Sequence, residues 1–220
     1  MSLWVKICGN TSLEDALLAA EAGADAVGFI FAPSPRRVTV EQAARITPGL
    51  PAGLEKIGVF VDASVEEIAE AVRLSGLTGV QLHSDSAPEA AERLRAGFGP
   101  GLRILRVVHF GPDSAREAAE FAADPNVDAV LVDSRTAAAV GGTGITFDWA
   151  EARRTVFRPE NAAKLVAAGG LNPANVAGAI VMLRPWGVDV SSGVEAAPGK
   201  KDPGKVREFV RRAREAHFAS

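Results

Sequence analysis

The 220 residues read as an α/β protein, a single closed (β/α)8 TIM barrel spanning residues 1–220 as one domain, and three observations predict it. Short apolar, β-branched runs alternate with longer Ala-, Glu- and Arg-rich stretches whose apolar residues recur at helical spacing, the pattern of repeated βα units. About eight such units fit the chain, and its length is one that single α/β barrels commonly have. Within the strands the polar residues keep to one parity, and period-2 alternation sends the two parities to opposite faces. A parallel barrel covers its outer face with helices, so the apolar set points outward and the polar set into the lumen, towards the C-terminal mouth.

Each unit has its own warrant. The first strand, Leu3–Cys8, puts Leu3, Val5 and Ile7 on one face and Lys6 and Cys8 on the other. Thr11-Ser12-Leu13-Glu14 then reads as a capping box that starts a helix. The second strand is Asp25–Phe31, followed by Pro33-Ser34-Pro35-Arg36-Arg37. Lys56–Val61 is the third, with Ser64-Val65-Glu66-Glu67 as its capping box. In the fourth, Gly79–His83, Gln81 and His83 share a face against Val80 and Leu82, and Ser86-Ala87-Pro88-Glu89 opens the next helix. Leu102–Val108 and Val127–Val132 are the fifth and sixth, the latter ending on Asp133. Lys164–Ala168 is the seventh, and Val188–Ser191, with Asp189 and Ser191 on one parity, is the eighth. Pro and Gly are spread through the junctions, and no linker divides the chain.

Composition removes several function classes. A net charge of −3 with no basic block speaks against nucleic acid as a partner. A lone cysteine, Cys8, excludes an internally disulfide-stapled fold and points to a reducing compartment, the cytoplasm. No stretch approaches the apolar length of a membrane span, and the N-terminus lacks a signal-peptide pattern. The three histidines, His83, His109 and His217, are far apart in the chain and form no metal-ligand motif with Cys8, so no metal is expected.

The candidates for chemistry are chosen by position. Cys8, His83, Asp133 and Asp189 fall at or just past strand C-termini, the end of this fold where active sites sit. A lone Cys is more often a small buried hydrophobe, but beside Lys6 its pKa can fall, and a thiolate is a competent base or nucleophile. Asp133 serves equally well on paper as a loop anchor or as an acid, and desolvation at a closed mouth favours the protonated carboxyl that a general acid needs. His83 is read as a substrate or shape contact, and His83-Ser84-Asp85-Ser86 is no hydrolase triad, because neighbours on one strand end cannot converge on one bond.

After the seventh strand comes Gly169-Gly170-Leu171-Asn172-Pro173, and after the eighth Ser191-Ser192-Gly193-Val194-Glu195. Loops at these two ordinals commonly cradle a phosphate, because glycine lets backbone N–H groups approach an anion closely. Arg36 and Arg37 are by default a solvated pair, but one of them can bind a carboxylate on the substrate bidentately. Ala138-Ala139-Val140-Gly141-Gly142-Thr143-Gly144 lacks the Lys-Ser/Thr of a P-loop and reads as a loop that can close over the mouth.

These segments, with Lys6-Ile7-Cys8-Gly9-Asn10-Thr11, Gly23-Ala24-Asp25-Ala26-Val27-Gly28-Phe29-Ile30-Phe31, Gly58-Val59-Phe60-Val61, Val80-Gln81-Leu82-His83, Phe147-Asp148-Trp149 and Pro198-Gly199-Lys200-Lys201-Asp202, resemble the phosphoribosylanthranilate isomerases of tryptophan biosynthesis from end to end. Each motif is weak alone, and their shared order is specific. The resemblance implies an Amadori rearrangement without cofactor or metal, with Cys8 as general base and Asp133 as general acid. It also implies Arg37, the second of the pair, as the anthranilate contact. From their places at the strand ends and in the loops, His83 and Asp189 are expected to touch the substrate, and Gly142, Gly169, Gly170, Ser191, Ser192 and Gly193 to bind the phosphate. The chain departs from the family after the fourth strand, where Ser84-Asp85-Ser86 stands in place of Gly and an acidic residue. The expected partner is a small phosphosugar, with a homodimer left open.

Two other readings stay beside this one. A related phosphosugar barrel of histidine or indole synthesis would share the phosphate loops, but the first expects Asp at Cys8 and the second expects catalytic lysines, of which the strand ends offer only Lys6. A non-catalytic phosphometabolite-binding barrel is the other, since fold does not imply function.

Overall fold

The computed structural model describes residues 2–83, 89–134, 148–158 and 163–218, with residues 217 and 218 described as backbone only. The strands are β1 (Trp4–Ile7), β2 (Ala26–Ile30), β3 (Glu55–Phe60), β4 (Gly79–Leu82), β5 (Arg103–His109), β6 (Ala129–Asp133), β7 (Leu165–Ala167) and β8 (Gly187–Val190). They form one closed barrel in sequence order, with β8 pairing back onto β1 in parallel so that Lys6 lies opposite Asp189. Helices α1 (Leu13–Glu21), α2 (Val40–Ile46), α3 (Val65–Ser75), α4 (Ala90–Phe98), α5 (Ser114–Ala123), α6 (Trp149–Thr155), α7 (Val176–Leu183) and α8 (Pro203–Phe218) follow the strands in turn.

Strand parity distributes the core as the alternation requires. Val5, Ile7, Val27, Phe29, Val80 and Leu82 join Ala16, Ile68, Leu94 and Phe209 of the helices in an outer apolar layer. Trp4, Ala26, Ile57, Leu105, Val107, Ala129, Leu131 and Val166 fill the lumen. The lumen is therefore a packed apolar plug, closed at the N-terminal end by the ion pair of Arg103 with Glu55 at 2.8 Å, and Lys6, Gln81 and Asp189 meet within the lumen.

Caps fix where the helices begin. Ser64 and Glu67 form the expected reciprocal capping box of α3. At α1 the cap is Ser12, whose side chain accepts from the Asp15 amide, in place of the expected Thr11. The Thr11 hydroxyl instead donates to the Gly199 carbonyl at 2.7 Å, a long-range bond that the local pattern does not reveal. Thr39 and Gln42 supply a capping box for α2, while the Ser86 box lies outside the described residues.

One element was not expected. Past β8 the chain makes an antiparallel hairpin, β9 (Glu195–Ala197) with β10 (Lys200–Lys201), turning at Pro198-Gly199. A Pro-Gly dipeptide is a turn signal, so the sequence carried the mark of this hairpin. Among the described residues no helix is long and apolar enough to cross a membrane.

Candidate active site

Lys6 organises the lumen below the mouth. It points inward from β1 and is fully buried, and its ammonium donates across the barrel to Gln81 Oε1 of β4 at 2.9 Å and to Asp189 Oδ1 of β8 at 3.0 Å. Burial works against its charge, but Asp189 and the Cys8 sulfur outweigh that and hold its pKa above the ordinary lysine value. Deprotonating it would strand Asp189 as an unpaired buried anion.

Cys8 follows one residue past β1 and is buried on the same face. The position facing it on β2 is Gly28, where an added Cβ would stand 2.6 Å from Cys8 Sγ and 3.0 Å from Lys6 Cε. Only glycine leaves the thiol its place. Burial pushes the Cys8 thiol up, Lys6 and Lys201 pull it down, and Asp189 pushes it up again, leaving it above its usual value. The expected lowering by Lys6 is therefore present but outweighed by desolvation, because Lys6 already shares its charge with Asp189.

The hairpin roofs this side of the site. Arg36 grips Glu195 of β9 through two bonds, Nε to Oε1 at 2.8 Å and the terminal nitrogen to Oε2 at 2.7 Å. Lys201 of β10 donates to the same Oε1 at 3.1 Å, to the Cys8 carbonyl at 2.6 Å and to the Ser191 carbonyl at 3.3 Å. Burial disfavours the Glu195 charge, yet its bonds to Arg36 and Lys201 hold the carboxyl below the ordinary range. Sequence reasoning missed Lys201 and Glu195, although both stand in the quoted motifs, because nothing local says that they turn back onto Cys8.

On β6, Asp133 is buried at the strand's end, opposite His109 in register. Gly169, just past β7, takes the left-handed backbone (φ 82°). A Cβ there would stand 2.5 Å from Asp133 Oδ1 and would collide with the Ser134 hydroxyl, so glycine is required both by conformation and by the carboxyl beside it. The structure also joins two histidines that are far apart in the chain. His83 Nε2 lies 3.1 Å from His109 Nε2, so one ring donates and the other accepts. Among the described residues no group of three or more His, Cys, Asp and Glu could hold a metal ion, and the side chain of His217 lies outside them.

The proposed phosphate loops lie side by side. A Cβ on Gly193 would run into the Leu171 carbonyl, so the loop after β8 packs directly on the loop after β7. Gly170 also has a left-handed backbone (φ 65°), Ser192 and Gly193 form a single 3-10 turn with Val194, and the buried Ser191 hydroxyl has no partner among the described residues. Gly142 and the segment Ser84-Asp85-Ser86 lie outside the described residues. Of the arginine pair, Arg36 is committed to Glu195 while Arg37 is exposed. Arg37 lines a cleft of about 460 Å³ with Phe31, Phe60, Asp62 and Glu67, over the starts of α2 and α3.

Known proteins share this fold and much of this sequence. The family model described as N-(5'-phosphoribosyl)anthranilate (PRA) isomerase matches residues 5–212. An N-(5'-phosphoribosyl)anthranilate isomerase of Rubrobacter xylanophilus is 46% identical over 96% of this chain and 98% of its own length. The crystal structure of phosphoribosyl anthranilate isomerase from Thermotoga maritima superimposes with a TM-score of 0.82 at 39% identity, covering 97% of this chain and 99% of that one. Another such isomerase, solved in complex with reduced 1-(o-carboxyphenylamino)-1-deoxyribulose 5-phosphate, gives a TM-score of 0.79 at 36% identity over 97% and 99% of the two chains. The chain belongs to the N-(5'-phosphoribosyl)anthranilate isomerase family.

Proposed function

We propose that the barrel mouth isomerises N-(5'-phosphoribosyl)anthranilate to 1-(o-carboxyphenylamino)-1-deoxyribulose 5-phosphate by general acid–base catalysis, with Asp133 as acid and Cys8 as base. The observation that carries the reading is that a thiol and a carboxyl end β1 and β6 at one mouth, each beside a glycine whose Cβ would displace it. The mechanism follows from the substrate's bonds. Asp133 gives its proton to the furanose ring oxygen as the bond from that oxygen to C1 breaks, and the anthranilate nitrogen lone pair forms the C1–N double bond. The Cys8 thiolate then takes the proton from C2, whose electrons form the C1–C2 double bond and return the nitrogen's pair. The enolamine so formed tautomerises, its C2 hydroxyl becoming the ketone as C1 gains a proton. C2 is oxidised as C1 is reduced, so the electrons balance within the substrate and no cofactor enters. Each acid–base step of this kind supplies roughly 10²–10⁴-fold.

Positioning comes from the two anionic ends of the substrate. In this reading Gly142, Gly169, Gly170, Ser191, Ser192 and Gly193 take the phosphate through backbone N–H groups and hydroxyls. Arg37 takes the carboxylate, and His83 and Asp189 border the sugar. The whole chain, residues 1–220, is read as one catalytic domain working in the cytoplasm. A Thermotoga maritima relative is described as dimeric, and a homodimer is proposed here too, to be checked by sedimentation equilibrium.

The test is loss of anthranilate fluorescence from substrate generated in situ. Cys8→Ser and Asp133→Asn are each expected to lower kcat by orders of magnitude while circular dichroism stays unchanged. Near-wild-type turnover in either variant removes that residue from the mechanism. Affinity without turnover in the wild type would leave a phosphosugar-binding barrel.

A further inference from the structure

Two of the three histidines meet at the mouth in a pair that the acid–base steps do not use. Gln81 of β4 reaches Lys6 inside the lumen, so His83, two residues on, shares that inward face. Leu105 and Val107 of β5 line the lumen, which turns His109 inward as well. The two Nε2 atoms are 3.1 Å apart, with ring centroids at 4.6 Å and planes tilted by 49°. Both strand ends are held by backbone bonds, from the His83 amide to the Phe60 carbonyl at 3.2 Å and from the Phe110 amide to the Asp133 carbonyl at 2.8 Å. Both rings are half-buried and so open to ions from solvent. A straight N–H···N bond of this length would set the centroids about 5.4 Å apart, so the rings are bent off the line joining their nitrogens and hold each other poorly.

We propose that His83 and His109 form a chelating pair for a divalent transition-metal ion of the zinc class, and that the bound ion closes the mouth to substrate. Zinc in a tetrahedral array, about 2.0–2.1 Å from each ligand, holds two imidazole nitrogens about 3.3 Å apart, so from 3.1 Å the rings need part by only about 0.2 Å. The ion bonds to the lone pair of a neutral ring, so each ring must carry its proton on Nδ1. His109 Nδ1 is buried with no partner among the described residues, and no bond there is given up when the proton arrives. Two protein ligands are one fewer than a resident catalytic zinc has, so water fills the remaining positions and the ion exchanges readily. It acts as an inhibitor and not as a cofactor. Mg2+, which takes oxygen ligands, is not held by such a pair. Closure of the mouth rests on the reading that His83 borders the sugar; the chelate itself does not.

The chain holds three histidines and one cysteine, so each nitrogen and sulfur ligand can be removed in turn. Binding of Zn2+ is read by competition with a chromophoric chelator at about pH 8, where imidazole is neutral. His83→Gln and His109→Gln should each weaken it at least about tenfold, since loss of a mere supporting partner can cost that much. Cys8→Ser and His217→Gln should bind as the wild type does. Loss of binding in Cys8→Ser, wild-type affinity in either variant of the pair, or equal affinity for Mg2+ overturns the proposal. If a variant of the pair fails to fold, the histidine ring signals in the NMR spectrum of the wild type decide. Zn2+ should move two of the three together and leave the one that is missing from His217→Gln; any other pattern refutes the chelate. In the turnover assay Zn2+ should raise KM in step with its occupancy and leave kcat unchanged, and EDTA should restore the original KM. Zinc bound through both rings at unchanged KM would refute the closure and move His83 away from the sugar. The binding measurements need no turnover, so failure of the isomerase reading and failure of the chelate are told apart.

Discussion

Replacing Gly28 by alanine tests whether the lumen beside Cys8 has been emptied for the thiol. The new Cβ would lie 2.6 Å from Cys8 Sγ, 3.0 Å from Lys6 Cε and 3.1 Å from Cys8 Cα, against the 3.4 Å at which ordinary contact begins. The sulfur must then retreat by roughly 0.8 Å, or Lys6 must leave its bonds to Gln81 and Asp189. Neither motion is free, because Lys6 is wholly buried and β1 is paired on both sides. Overpacking of this kind costs about 1–3 kcal/mol. A misplacement near 1 Å at a reacting group costs on the order of 10²-fold, so kcat should fall by about 10- to 100-fold.

Two readings are needed together. Thermal denaturation gives the stability loss, and the fluorescence assay on the folded variant gives kcat. Gly53→Ala is the control, since an added Cβ there meets nothing within 4 Å, and neither its stability nor its turnover should fall. A folded Gly28→Ala enzyme within twofold of wild-type kcat would refute the reasoning, because the thiol would then not need that space.

Other perturbations follow from the same contacts. Lys6→Met removes one partner of the buried Lys6–Asp189 pair and should cost about 3–5 kcal/mol in chemical denaturation; a loss under 1 kcal/mol would mean that water reaches Asp189. Glu195 is held below the ordinary carboxyl range when folded, so its contribution is complete above the unfolded value of 4.5 and fades as pH falls through the lower folded value. Melting curves on the acid side should decline less steeply in Glu195→Gln than in wild type, and parallel curves would contradict this. His109→Ala removes the ring that meets His83 at 3.1 Å and should raise KM several-fold with a smaller change in kcat; an unchanged KM would place the pair outside the substrate's reach. Ser64→Ala breaks the capping box of α3 and should cost about 0.5–2 kcal/mol while turnover is preserved.

What could be read in the sequence follows the range of the forces involved. Period-2 alternation is local, so Lys6, Gln81 and Asp189 were assigned to one face from the chain alone, and they meet in the lumen. The inward apolar plug of Trp4, Ile57 and Leu131 obeys the same rule. Register between strands is not local. His83 and His109 come together because β4 and β5 pair in parallel, with Gln81 opposite Leu105, and no pattern within either strand states that offset. The cap of α1 failed by one position for a related reason, since the Thr11 hydroxyl is claimed by the Gly199 carbonyl from 188 residues away.

The same distinction explains why the charge cluster escaped notice. Arg36 and Glu195 are separated by 159 residues, and Lys201 and Cys8 by 193, so each reads alone as a solvated surface charge. Barrel closure changes that reading: once β8 pairs with β1, whatever follows β8 must lie over the end of β1, where Cys8 stands. A Pro-Gly turn in that following segment then aims its return strand at the same place, and a lysine there has the Cys8 carbonyl within reach. The topology of a closed barrel thus makes the hairpin after β8 a neighbour of the first strand, and a charge placed in one is held against the end of the other.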